Sequence, residues 1–360
     1  MTAGGGWGGR PRSERRVQRG EDDGVHPVRI GVLSAEHVHT PAYLDILASM
    51  PGVELVGLWD DDPERASGAA AAVDAPTFAG VEELLERIDG AVVTSANSRH
   101  RRLAELAAAA HVHVLCEKPL ATTAEDARAM VGACERGGVR LMTAFPMRWS
   151  PAARALASMV HGGALGEPVF LEGTNNGRMP NDLAPWFVDP VLSGGGAVTD
   201  HVVHLADMYR WLLGTEVAEV YAVANRILQE GFAAVETGGL VSLRFANGTL
   251  ATIDCSWSRP RSYPTWGGMA IDVIGTGGAV HVDAFRQRLA VYGTPEAGVS
   301  WLSWGADADR GMLEEFAAVV REDRQPAVTG VDGLRAVEIV QAAYRSIACG
   351  EPVPLNGSDT

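Results

Sequence analysis

The sequence predicts an α/β protein of two domains. An N-terminal doubly wound parallel sheet of the Rossmann type precedes an α+β domain with an open, largely antiparallel sheet. Three observations predict it. Residues 28–147 alternate short apolar strands with helix-length stretches, residues 148–355 carry successive strands separated by turns, and 360 residues are too many for one small core. Strands alternating with helices of about 10–15 residues give βαβ units, whereas strands joined by short turns pair antiparallel.

The elements follow in order. Val28–Ser34 reads as a short buried strand. A helix over Pro41–Met50 has Thr40 as its N-cap and proline at its first position. Strand Val53–Trp59, helix Pro63–Val73, strand Gly90–Thr94, helix His100–Ala110, strand Val112–Cys116, helix Ala124–Arg136 and strand Arg140–Ala144 complete the first domain. The second has strands at Val169–Asn175, Val217–Asn225, Gly239–Phe245, Thr249–Trp257, Met269–Ile274, Ala279–Val282 and Arg288–Tyr292, around a helix at Asp200–Leu213. Asn247-Gly248 marks a type I′ hairpin. Helices over 310–321 and 331–348 close the chain. Residues 1–27 read as a disordered Gly-rich leader, and Asn356–Thr360 as a loose end.

The net charge of -15 repels phosphate backbones and anionic lipid, so no nucleic-acid or membrane partner is expected. The leader's Arg10, Arg12, Arg15, Arg16 and Arg19 are followed at once by Glu21, Asp22 and Asp23. Neither a secretory apolar core nor a run of about 18 apolar residues occurs. Four scattered cysteines without CxxC spacing argue against a disulfide framework and a structural zinc site, and fit a reducing cytoplasm.

The second strand ends in Trp59-Asp60-Asp61-Asp62, which places Asp60 where a Rossmann carboxylate holds the adenosine ribose. That carboxylate would repel a 2′-phosphate and no arginine follows it directly, so NAD is favoured over NADP. The Gly-x-Gly-x-x-Gly loop that should cradle the diphosphate is replaced by Ser34-Ala35-Glu36-His37-Val38-His39, with Ser34, Glu36 and His39 at the glycine positions. Pro41 removes a further amide donor. His37 and His39 could donate to phosphate or be ordinary loop histidines.

Two motifs carry the chemistry. Cys116-Glu117-Lys118-Pro119 follows a buried strand, where a lysine reaches the ligand crevice and can polarise a substrate oxygen. Gly194-Gly195-Gly196 opens a helix carrying Asp200 and His204 at i, i+4, on one face. The carboxylate can orient the imidazole, and the imidazole can exchange a proton with a substrate hydroxyl.

Together these segments resemble the glucose–fructose oxidoreductase/inositol dehydrogenase family over about residues 28 to 350. Ser95-Ala96-Asn97-Ser98-Arg99-His100 is similar to its Thr-Pro-Asn-x-x-His segment, and Glu117-Lys118-Pro119 matches its Glu-Lys-Pro signature. Gly194 through Asp207 matches its Gly-Gly-Gly…Asp-x-Gly-x-His-x-x-Asp stretch, with His201 replacing a glycine. Phe145-Pro146-Met147-Arg148 sits at the family's domain crossing. The resemblance implies hydride transfer between NAD(P) and a sugar or polyol, with Lys118, Asp200 and His204 catalytic. It implies a cofactor site including Ser34, His37, Val38, Asp60, Ser95, Asn97, His100, Glu117 and Lys118, and assembly as a homodimer or homotetramer. Substrate candidates are Arg148, Asn175, Asn176, Arg178, Asp182, Trp186 and Trp257, with His201 beside the nicotinamide. The alternatives are a non-redox nucleotide- or sugar-binding regulator on the same scaffold, and a lyase, epimerase or glycosidase using tightly held NAD. No metal is assigned: His37, His39, His201 and His204 suit zinc, but they fall in two domains whose relative geometry the sequence leaves open.

Overall fold

The computed structural model describes residues 26–355 apart from 229, 230, 232, 287, 293–298 and 304. The leader up to residue 25 and the end from Asn356 lie outside the described residues. Five parallel strands form the first sheet: β1 (Val28–Leu33), β2 (Val53–Trp59), β3 (Gly90–Val93), β4 (His113–Cys116) and β5 (Leu141–Thr143), in the order β2-β1-β3-β4-β5. β3 is buried along its whole length, as a strand covered by helices on both faces must be. The covering helices are α1 (Thr40–Ser49), α2 (Pro63–Ala71), α3 (Val81–Leu85), α4 (His100–Ala109) and α5 (Ala124–Arg136). Strand order reverses between β1 and β3, and the loops leaving these two strands flank the crevice where doubly wound sheets bind ligands.

Thr40 is not the cap of α1. His39 holds that position without a side-chain cap bond, and Thr40 opens the helix with its hydroxyl turned back onto the His37 carbonyl at 2.8 Å. The histidine loop itself forms the approach to the helix, which is why the expected cap moved.

The second domain opens with α6 (Pro151–His161) and is built on a mixed, mostly antiparallel sheet of β6 (Pro168–Arg178), β7 (Val217–Asn225), β8 (Gly238–Phe245), β9 (Leu250–Arg259), β10 (Gly267–Gly275), β11 (Gly278–Asp283) and β14 (Val353–Pro354). Its order is β11-β10-β6-β9-β8-β7-β14, and β6 and β9 run parallel. β12 (Arg288–Tyr292) pairs separately with β13 (Val299–Ser303). The short α7 (Pro190–Ser193) leads into α8 (Ala197–Leu213), which lies on the covered face of the large sheet. α9 (Ala308–Glu322) and α10 (Gly330–Cys349) finish the fold. α9 returns to the first domain, where Phe316 and Val320 pack against Gly90 of β3. α10 packs on α8, β7 and α5, bridging both sheets. The elements α3, α6, α7, β13 and β14 are not among those expected from the sequence: four are of five residues or fewer, while α6 starts at a Ser150-Pro151 cap, a signal the sequence does carry. No helix among the described residues is long and apolar enough to cross a membrane, and the four cysteines are free thiols.

Candidate active site at the junction of the two sheets

The loop after β1 makes a left-handed turn without a glycine. Ser34 holds a left-handed φ of 77°, a conformation usually left to glycine. Its hydroxyl and the Ala35 amide both donate to Asp60 Oδ2, at 2.9 and 2.6 Å. Three further loop amides turn inward. Glu36 N reaches Ser34 Oγ, His37 N the Thr94 carbonyl, and His39 N the Nδ1 of His37. Glu36 accepts from the Ala96 amide at 2.9 Å and lies 3.3 Å from Arg99. Val38 packs with Ala96, Ala184, Trp186 and Phe187.

At the end of β4, Glu117 is 1% exposed and Lys118 5%. Glu117 Oε1 stands 2.9 Å from His39 Nδ1 and 3.7 Å from His37 Nδ1, and its other oxygen accepts from the Lys118 amide. Burial opposes the charge on Glu117, but His37, His39 and Lys118 together hold it well below the usual carboxylate range. Burial pushes His37 down to about 3. His39 goes the other way: burial is outweighed by the Glu117 carboxylate, which raises it.

Lys118 Nζ crosses to the second domain and donates to Asp200 Oδ1 at 2.7 Å. The other Asp200 oxygen accepts from Trp257 Nε1 at 3.1 Å and lies 3.5 Å from His201 Nε2. Burial would raise Asp200, but Lys118 above all keeps it ionised far below the ordinary range. The expected Asp200–His204 pairing is therefore corrected. Asp200 is the partner of Lys118, and His204 Nδ1 is buried with no partner. Burial, reinforced by Lys118, lowers His204 well below its ordinary value, so it is a neutral imidazole at neutral pH.

The start of α8 is held by residues the sequence did not flag. Glu236 accepts from the Gly196 and Val198 amides and from the Tyr344 hydroxyl, which also contacts Thr199. A Cβ at Gly196 would overlap the Glu236 carbonyl, so only glycine admits this approach. No local signal links Glu236 or Tyr344 to the helix start.

Other expected site residues sit elsewhere. Arg148 is nearly buried, with two bonds to Asp207 at 2.5 and 2.9 Å and one to the Ala327 carbonyl, so its guanidinium is committed to structure. Asn176 lies on the sheet face opposite α8 and accepts from Ser256 Oγ, whereas Asn175 turns inward to the His201 carbonyl. Trp186 covers the histidine loop, donating to the Glu36 carbonyl at 3.1 Å. His100 is fully buried between the Ser95 and Pro119 carbonyls and positions two loops. Ser95 is buried with its hydroxyl on the Ala96 carbonyl. Asp182 pairs loosely with exposed Arg261 at 3.5 Å. Asp60 is saturated: besides Ser34 and Ala35 it accepts from the Asp62 amide and from two nitrogens of Arg65. The absence of an adjacent arginine in the sequence thus misleads, because the first turn of α2 brings Arg65 back onto Asp60.

A nicotinamide dinucleotide fits this frame at the Lys118 end. Asn97 anchors its Nδ2 on the Ser193 carbonyl and leaves a buried Oδ1 without a partner, a carboxamide acceptor near the cross-domain contact. The phosphate end differs from a glycine-loop cradle because the Ala35, Glu36, His37 and His39 amides are already bonded inside the protein. His37 is the donor left there: Nδ1 accepts from His39, so Nε2 carries the hydrogen, and it is buried without a partner.

Two family descriptions match the chain: "Oxidoreductase family, NAD-binding Rossmann fold" over residues 28–145 and "GFO/IDH/MocA C-terminal domain" over residues 153–281. A D-apiose dehydrogenase of Paraburkholderia graminis is 30% identical over 348 residues, covering 90% of this chain and 88% of that protein. The myo-inositol 2-dehydrogenase of Thermotoga maritima is 31% identical over 276 residues, 74% of this chain and 80% of its own length. Among solved structures, GenD2 from gentamicin A biosynthesis in complex with NAD superposes with a TM-score of 0.83 at 25% identity, covering 94% of this chain and 99% of that one.

Proposed function

The chain belongs to the GFO/IDH/MocA oxidoreductase family, and from that premise we propose that it moves hydride between a nicotinamide dinucleotide and a sugar, inositol or related polyol. The single observation that carries the site assignment is the 2.7 Å bond from Lys118 to Asp200 across the two domains, beside the unpartnered neutral imidazole of His204. A bound dinucleotide would supply the hydride acceptor for the substrate carbinol carbon, or the donor for its carbonyl. Lys118 holds the reacting oxygen and stabilises the negative charge it develops. Asp200 fixes the ammonium and is itself steadied by Trp257. His204 takes the hydroxyl proton during oxidation and returns it during reduction.

Asn97, Glu117 and Lys118 are assigned to the nicotinamide end and Ser34, His37, Val38 and Ser95 to the phosphate side, while Asp60, its oxygens already taken, acts at the adenosine end by its charge and by anchoring the loop rather than by bonding the ribose. NAD is favoured over NADP. Arg65 is committed to Asp60, and Arg99 to Glu36 and Asp61, which leaves this corner with more carboxylates than guanidinium groups. A hydroxyl-rich substrate suits the buried polar atoms left open beside the ion pair, His204 Nδ1 and His201 Nε2. Gly177 packs on the His201 ring, whereas Arg178, the next residue of β6, falls on the opposite face with Asn176. The relatives that act on apiose and inositol agree with that chemistry. Tyr221, Val223 and Leu240, neighbours on β7 and β8, are exposed on the open sheet face and support association of like chains there.

Calorimetric titration with NAD, NADH, NADP and NADPH, followed by reduced-cofactor absorbance across aldoses, inositols and their oxidised forms, tests this reading. Binding of one pair with turnover of a polyol or aldose is the expected result. Failure to bind any of the four would overturn it.

A further inference from the structure

The histidine loop and the end of β4 bring together the one group of three possible metal-ligating side chains found among the described residues: His37, His39 and Glu117. One ligand atom from each lies within 4.8 Å of the other two. The separations from Glu117 Oε1, 2.9 Å to His39 Nδ1 and 3.7 Å to His37 Nδ1, bracket the ligand–ligand spacing of about 3.3 Å that bonds of roughly 2.0–2.1 Å to a tetrahedral ion require. The rings are edge-on to each other at 4.5 Å between centroids. His37 is wedged against Trp186 and Phe187, and His39 against Tyr43, so both imidazoles are held by packing. With the hydrogen on Nε2, His37 Nδ1 presents its lone pair toward the space it shares with Glu117 Oε1, where it accepts only a 3.2 Å bond from the His39 amide.

We propose that His37, His39 and Glu117 form a binding site for one divalent transition-metal ion, zinc being the best match to two imidazoles and a carboxylate. Three protein ligands leave a position open for water or a ligand oxygen. The ion would take Nδ1 of His37 in place of the His39 amide hydrogen, which now lies 3.2 Å away. His37 Nε2–H stays outside the coordination sphere as a donor. This separates His37 and His39 from His201 and His204, with which the sequence could only group them loosely. It also gives the loop a positive charge at the place where the inward-turned amides no longer offer one. The site stands whether or not the dinucleotide reading holds, because it is tested without cofactor.

The full-length protein, stripped with chelator and dialysed, is titrated with cobalt(II) alone and then with zinc(II). The expected result is visible d–d absorption of a four- or five-coordinate cobalt ion that saturates at one equivalent and is displaced by zinc. The absorption should lack thiolate charge transfer, since no cysteine is among the ligands. His39→Gln, at a ring partly open to solvent, should lose the band while the far-ultraviolet circular dichroism stays unchanged, and His37→Ala should lose it as well. Wild-type protein that binds neither ion stoichiometrically, or a band that survives in the His37→Ala/His39→Gln double variant, would overturn the proposal. The wild-type titration decides it even if the variants fold poorly.

Discussion

Lys118 and Asp200 form a buried ion pair that joins the end of β4 in one domain to the first turn of α8 in the other. Lys118 is the main reason Asp200 can be charged there. Breaking a buried pair leaves an uncompensated charge, costing about 3–5 kcal/mol, whereas removing both partners costs less. Lys118→Met and Asp200→Asn should therefore each destabilise the fold. The double variant should be no less stable than the worse single one, with a coupling of about 0.5–3 kcal/mol from urea denaturation. All three should lose roughly 10²–10⁴ in kcat. Additive stability losses would show that the pair is not the unit described.

His204 shares in the pH dependence with His37, His100 and His201, which burial also lowers. Its folded-state pKa is depressed by burial and by Lys118. Below about 6.5 the unfolded chain protonates this imidazole and the native state does not. The unfolded state then binds more protons, so stability is full above that pH and is lost as pH falls below it. His204→Gln should flatten the decline seen in urea denaturation between about pH 7 and 5. In the oxidation direction, the acid limb of kcat/KM should lie below the ordinary histidine range and vanish with His204→Gln, along with most of the activity. A variant whose stability profile matches wild type would contradict the depressed value.

The parts that were legible in the sequence are those whose chemistry is local. Val28–Leu33, the Glu117-Lys118 strand end and the Gly194–Asp207 helix start could be found because a strand period, a strand terminus or an i, i+4 spacing puts the residues together without tertiary information. Which partner each residue takes was not legible. Asp200 pairs with Lys118 and Trp257 rather than with His204 one helical turn away, because the carboxylate points across the domain junction. Arg148 looked like a cleft residue at a domain crossing, but α8 offers it Asp207. The shared site of His37, His39 and Glu117 needs the packing of β1 beside β3 and β3 beside β4, which no spacing encodes.

Arg148 supplies a negative control for the site. Its guanidinium bonds to Asp207 and the Ala327 carbonyl and lies 3.2 Å from Asp332, all away from the Lys118 contact. Arg148→Met should lower stability by about 3–5 kcal/mol by stranding the buried Asp207. At a temperature where the variant is still folded, its KM for substrate should be unchanged. A large rise in KM with normal thermal unfolding would return Arg148 to the substrate pocket.

Cofactor choice and the integrity of the loop separate at Asp60 and Arg65. Asp60 accepts from Arg65, Ser34 and the Ala35 and Asp62 amides, and these partners hold it ionised below the usual carboxylate range against its burial. Removing Arg65 therefore should not convert the corner into a 2′-phosphate site. It should leave the carboxylate with fewer donors and loosen the loop after β1. Arg65→Ala is expected to weaken NAD and NADP binding alike in calorimetry and to lower the unfolding temperature. Asp60→Ser acts differently: it removes the anion that repels a 2′-phosphate and frees Arg65 to meet it. That variant should lose NAD affinity while gaining NADP affinity, a relative shift of about tenfold or more for a charge contact worth roughly 1.5–3 kcal/mol. If Asp60→Ser weakens both cofactors equally, the carboxylate acts only as a loop anchor, and the preference for NAD must come from another part of the cleft.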